Sequence, residues 1–274
     1  MVRKFLLLCV GMLVLGASAA YAFPPIDLTT LNSSYSAGAD GVIWNEIISV
    51  PTGTGVYDPF LRVQANDVEE GFNTNWGGPY DPVGSHQPPL DDKGGIWTHD
   101  VQLSQFIVTN VGGKDYYVLH LDINEPSGDP SNLLSLDELR LYTSGTSGYN
   151  SLAAMTAGST LRYDLDGGAD GDQDVYLNGD LQQGSGHDDM EVLIPTSYFS
   201  GANQSDFLYL YCKFGATGGA FGADFQSGDG FEEWHALLGA NPPPPPPPGA
   251  PEPSSMLLLG GGLVGLLAAR NRRK

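Results

Sequence analysis

The chain has 274 residues, with 12 Lys+Arg against 32 Asp+Glu and a formal net charge of -20 at pH 7. That length holds one large domain or two small ones, enough to bury a substantial core. That charge repels nucleic acid and anionic lipid surfaces, attracts cations and favours solubility, so no nucleic-acid partner is expected.

Residues 1–22 have the three parts of a secretory signal peptide. Arg3 and Lys4 give the positive start, Phe5 to Gly16 the apolar stretch, and Ala20-Tyr21-Ala22 an A-x-A cleavage site. The apolar stretch is too short to span a bilayer comfortably, so removal is expected. The implied partners are the secretory translocon and signal peptidase. With Cys9 removed, Cys212 is the one cysteine left, and no internal disulfide can form. Its place in an apolar, strand-like run predicts a buried, inert thiol.

The body, residues 23–240, alternates apolar and polar residues between turn signals, which predicts strands. In chain order these are 42–48, 96–103, 106–109, 115–123, 135–142, 160–165, 190–194 and 207–214. Asn110-Val-Gly-Gly113 predicts a hairpin turn. In the fourth strand Tyr117, Leu119, Leu121 and Ile123 share one face, and Tyr116, Val118, His120 and Asp122 the other. In the last, Leu208, Leu210, Cys212 and Phe214 share a face. No long amphipathic helix is visible. The fold class expected is mainly β, an antiparallel two-sheet β-sandwich, jelly-roll-like.

The densest candidate site is the acidic run Asp164, Asp166, Asp170, Asp172 and Asp174, interleaved with glycines. Calcium takes about six to eight oxygen ligands, and such loops supply them. Asp170, Asp172 and Asp174 have the opening spacing of an EF-hand loop. Val175 stands where the glycine belongs and Leu181 where the bidentate Glu belongs, so this is not an EF-hand. The run is a candidate Ca2+ site or a solvated acidic turn, with Gly186-His-Asp-Asp189 as a second acidic patch that could fold beside it. Trp76 and Tyr80, in a Gly/Pro-rich stretch, are the candidate carbohydrate-contacting pair, while Trp44, Trp97 and Trp234 are expected in the core. His86, His99, His120, His187 and His235 make no closely spaced pair, which gives zinc no support in the sequence. No nucleophile elbow or metalloprotease motif is present, and no enzymatic activity is expected.

After the body come Pro242 to Pro248, an extended and stiff spacer within residues 241–250. Residues 251–274 follow: Pro251-Glu252-Pro253, an apolar stretch from Met256 to Ala269, and the basic cluster Arg270, Arg272, Arg273 and Lys274. At about 1.5 Å per residue that stretch spans roughly 21 Å, marginal for a core of about 30 Å. The basic cluster would hold a single transmembrane helix with the body outside.

This tail resembles the PEP-CTERM sorting tail. The resemblance implies that an exosortase, a membrane transpeptidase, recognises Pro251, Glu252 and Pro253, with Arg270, Arg272 and Arg273 as the stop signal. It implies a Gram-negative bacterium that makes extracellular polysaccharide, and a chain held at the membrane before processing and at the surface or outside afterwards. Leu134 to Leu141, Tyr163 to Asp166, Met190 to Ser197 and Phe231 to Trp234 also resemble the body of many proteins with this tail. The expected function is therefore an exported surface or matrix protein with a structural or adhesive domain. The alternatives are a carbohydrate-binding module for extracellular polysaccharide, calcium-assisted, and third a secreted hydrolase.

Overall fold

Three long strands, each apolar on one face, organise the molecule. The computed structural model describes residues 24–36, 41–47, 59–75, 89–128, 130–168, 171–182, 187–216, 225–228 and 230–238. The strands in chain order are β1 (Ile26–Asp27), β2 (Ser34–Ser36), β3 (Ile43–Glu46), β4 (Leu61–Val63), β5 (Asn66–Asp67), β6 (Glu69–Phe72), β7 (Val101–Gln102), β8 (Val108–Val111) and β9 (Lys114–Asp122). Then come β10 (Leu133–Ser144), the short helix α1 (Leu152–Gly158), β11 (Thr160–Asp164), β12 (Val175–Asn178), β13 (Met190–Pro195), β14 (Phe207–Phe214), β15 (Ser227–Gly228) and β16 (Glu232–Ala236).

They form two seven-stranded sheets and one small pair. Sheet A has the order β1-β12-β10-β14-β6, with β11 also on β10 and β7 also on β14. Sheet B has the order β2-β3-β13-β9-β16-β4, with β8 also on β9. β5 pairs with β15. Every pairing among the described strands is antiparallel except β1 with β12. The mainly β, antiparallel expectation therefore holds.

The long strands each serve two short ones. β9 gives one edge to β13; the other is divided between β8 at Lys114–Tyr117 and β16 at Leu119–Asp122. β10 gives one edge to β14 and divides the other between β12 and β11. The β8–β9 hairpin closes through Gly112 and Gly113, both at positive φ (60° and 86°). Two left-handed residues give a turn whose twist matches that of the strands, and glycine adopts them without a Cβ clash.

The inner faces carry the core. Leu208, Leu210, Cys212 and Phe214 of β14 share a face with their β10 partners and are buried. On sheet B, Leu119 and Leu121 of β9 lie beside Trp234 of β16, also buried. The rings of Phe214 and Trp234 approach to 6.5 Å between centroids, one from each sheet. Gly71 of β6 permits a close approach: a Cβ there would lie 2.3 Å from Val63 Cγ1 and 2.2 Å from Asp92 Oδ1. β10 switches face at a bulge, since Leu136 pairs with Phe214 while Glu138 pairs with Lys213. Asp137 is the extra residue. Its carboxylate accepts hydrogen bonds from the Ala216 backbone N–H (2.7 Å) and the Ser135 hydroxyl (3.0 Å).

Two expectations are corrected. The predicted strand 96–103 is a 3-10 turn at Gly95–Trp97, the two-residue β7, and the start of a second 3-10 turn at Leu103–Gln105. Trp97 is 37% exposed rather than core, with the Arg62 guanidinium 3.7 Å from its ring centroid. Trp44 and Trp234 are buried as expected. All described residues up to Leu237 belong to one compact unit. No helix among the described residues is long and apolar enough to cross a membrane. The expected signal peptide, proline spacer and transmembrane helix lie outside the described residues.

Candidate metal centre

Register between β9 and β16 places His120 directly opposite His235, on the face turned away from Leu121 and Trp234. Their rings stack with centroids 4.8 Å apart and planes 25° apart. Asp188 reaches them from the segment leading into β13, which pairs with the other edge of β9. Its Oδ1 lies 2.7 Å from His235 Nε2 and its Oδ2 lies 3.3 Å from His120 Nδ1. One ligand atom from each residue falls within 4.8 Å of the others.

All three side chains are largely buried, at 11%, 13% and 15% exposure for His120, Asp188 and His235. Burial pushes the Asp188 carboxyl up, but the two imidazoles beside it outweigh burial and hold it at about 2. A carboxylate fixed in its charged form between two imidazoles is a ready donor set for a cation. Both ring nitrogens of His120 are buried; Nε2 has no hydrogen-bond partner, and Nδ1 has only the 3.3 Å contact with Asp188.

A second constellation lies inside the fold. Glu69 of β6 shares the face of Phe214, and Glu232 of β16 shares the face of Trp234, so both point into the interior from opposite sheets. Both are fully buried. Glu125, just after β9, joins them. Backbone donors satisfy part of the group: Ala65 N–H donates to Glu69 (2.7 Å) and Gly228 N–H to Glu125 (2.8 Å). Neither oxygen of Glu232 has a hydrogen-bond donor. Burial, followed by the neighbouring Glu69 and Glu125, pushes Glu232 well above the usual carboxylate range. Burial pushes Glu69 up and Glu125 up to about 7. Asp92 accepts from Phe72 N–H at 2.9 Å, and burial pushes it up to about 8.

The acidic run is spread over several tasks. Asp164 accepts from Arg140 Nε at 3.3 Å and from Asp166 N–H at 3.2 Å. Asp166 accepts from Gln173 N–H at 3.0 Å, and burial, then Asp164 and Asp172, raise it to about 6. Asp174 accepts from the Tyr176 hydroxyl at 3.4 Å. Asp172 is exposed, and Asp170 lies outside the described residues. The second acidic patch does not share this neighbourhood. The charges acting on Asp189 are Asp122, Asp188 and Glu46, whereas those on Asp166 are Asp164, Asp172 and Glu138. Trp76 and Tyr80 lie outside the described residues, as do the sorting residues Pro251, Glu252, Pro253, Arg270, Arg272 and Arg273. A cleft of about 300 Å3 runs beside Asp164 and is lined by Tyr35, Arg162, Tyr163 and Tyr198.

Sequence spacing missed His120–Asp188–His235 because its members meet through strand pairing. The available signal was that His120 shares a strand face with Asp122, two polar residues inside an otherwise apolar run. Glu69 and Glu232 were missed because acids are expected on surfaces.

Residues 250–274 match the model of the PEP-CTERM protein-sorting motif. No curated protein and no solved structure matches the chain.

Proposed function

We propose that this is an exported protein, processed by an exosortase through its tail, whose β domain has a structural or adhesive role at the surface of a Gram-negative cell. The observation that carries the reading is the sorting-motif match over residues 250–274. The signal-peptide pattern at residues 1–22 supports it, because a tail of this kind is useful only to a chain that is exported. The surplus of acids over bases suits a soluble surface domain. The domain is read as non-enzymatic, ahead of a secreted hydrolase.

A second reading, binding of extracellular polysaccharide with calcium assistance, is favoured by the cleft beside Asp164. Three tyrosines, an arginine and a carboxylate line it. Sugar rings stack on aromatic faces and hydrogen-bond to such charged groups, and the size sits at the lower end for ligand pockets.

The test is the size of the mature protein in cells with and without their exosortase, beside a variant with Pro251, Glu252 and Pro253 all changed to Ala. The expected result is a full-length precursor retained in the membrane fraction in both cases. Normal processing of the variant, in cells that still process other substrates, would overturn the reading.

A further inference from the structure

We propose that His120, Asp188 and His235 form a binding site for a divalent transition ion of the zinc class. The site stands on the β domain alone and is independent of how the tail is processed.

The donor set selects the ion. Two imidazoles and one carboxylate suit zinc and its neighbours, whereas calcium wants about six to eight oxygens. The geometry is already close to coordination. A tetrahedral ion with ligands at about 2.0–2.2 Å holds its donor atoms roughly 3–4 Å apart. The two carboxylate–imidazole separations are 2.7 and 3.3 Å, and the donor atoms of all three residues lie within 4.8 Å of one another. Little movement is needed to admit an ion.

Burial makes the same point independently. His120 is buried, its Nε2 has no hydrogen-bond partner, and its Nδ1 has only the long 3.3 Å contact with Asp188. A buried imidazole left in that state loses the water it had in the unfolded chain and gains only one weak contact in exchange. A metal bond to one ring nitrogen answers that loss. The site is also rigidly framed. His120 and His235 are fixed by cross-strand register, and the segment holding Asp188 is anchored next door by two bonds: Asp189 N–H donates to the Leu121 carbonyl at 2.8 Å, and Ile123 N–H donates to the Asp189 carboxylate at 2.8 Å.

Three protein ligands leave a fourth position for water or for a donor from outside. The ion would fasten the entry to β13 onto β9 and β16, tying together three neighbouring strands of sheet B. The competing account is a His–Asp–His hydrogen-bonded group that never takes an ion. The two differ in their response to metal.

The experiment uses the full-length chain, stripped with chelator and then titrated separately with ZnCl2, CoCl2 and CaCl2. Melting temperature and the visible cobalt spectrum are followed together. Zinc at micromolar concentration is expected to raise the melting temperature by several degrees, because an ion that binds only the folded state stabilises it by mass action. Cobalt is expected to give visible bands of four- or five-coordinate strength. Both responses should vanish in His235→Gln and fall sharply in Asp188→Asn, which keeps the shape of the side chain. Circular dichroism of each metal-free variant checks that it folds, and the second variant serves if the first does not. No zinc shift and no cobalt bands in the parent protein would overturn the site. So would a zinc response that survives in both variants, or a response to calcium alone.

Discussion

Glu69 and Glu232 meet in the interior from opposite sheets, both fully buried and within hydrogen-bonding reach of one another. Two ionised carboxylates cannot share such a place, because removing charge from water without a counter-ion costs several kcal/mol per ion. The group is therefore held by protons. Glu125, raised to about 7, and Asp92, raised to about 8, extend the same condition to neighbouring positions.

The pH dependence of stability follows in sign. These carboxyls keep protons in the folded state that an unfolded chain releases near pH 4. Their contribution is complete below that pH and is lost as pH rises through the folded values. For Asp92 alone the slope approaches about 1.4 kcal/mol per pH unit between about pH 4 and pH 8. Asp188 acts the other way, since its folded value is lowered to about 2. Its contribution is present above its ordinary value and is lost as pH falls through about 4 to 2. Urea unfolding in chelator should therefore find maximal stability near pH 4–5 and a decline towards pH 8. Stability rising from pH 5 to pH 8 would contradict the protonated interior.

Glu232→Gln tests the pair directly. The amide is uncharged at every pH and can donate to Glu69. The variant should differ little from the parent at pH 5 and gain about 1–3 kcal/mol at pH 8, measured by the same unfolding. Equal effects at the two pH values would argue against a shared proton.

Gly71→Ala should be strongly destabilising. The new Cβ would press on the Val63 methyl at 2.3 Å and on the Asp92 carboxylate at 2.2 Å, well inside normal contact. Val63 belongs to β4 in the opposite sheet, so the strain falls on the contact between the layers. A loss of about 1–3 kcal/mol is expected, with a lower melting temperature at pH 5.

Cys212 should be inert in the native protein. It is fully buried, its thiol is pushed well above the ordinary range by burial and then by Glu69, and the thiolate is the reactive form. A thiol reagent should label it only at the rate of global unfolding. Rapid labelling would mean that β14 opens locally.

The long strands were legible because their chemistry repeats. β9 and β14 are long apolar, aromatic-rich runs bounded by turn signals, and both were placed to within a residue of their ends. β10 was legible too, and its bulge left a trace: the inward leucines run 134 and 136, then 139 and 141, changing parity across Asp137. The short strands β3, β11 and β13 were legible as well, but β6 and β16 were not. β6 is Glu-Glu-Gly-Phe and β16 begins Glu-Glu, sequences that suggest a turn until the opposite sheet is known. Residues 96–103 misled in the other direction, because an apolar pair after two glycines resembles a strand. Trp97 in fact lies at the surface beneath Arg62, which is also 4.3 Å from the Phe231 ring centroid and bonded to Glu233 at 2.6 Å. The histidine pair illustrates the general limit. Helical and loop ligands announce themselves by spacing, whereas ligands on paired strands depend on register, which spacing does not encode.

The position of β16 has a consequence for how the molecule is made. The last of the described strands is not an edge; it lies between β9 and β4 in sheet B. A polypeptide that emerges amino end first must leave one edge of β4, and half of one edge of β9, open until residues near 236 have arrived. The sorting motif begins at residue 250, only a short stretch later. Completion of the second layer and arrival of the tail at the membrane are thus nearly the same event, and a chain cut short before β16 would present bare strand edges instead of a finished surface.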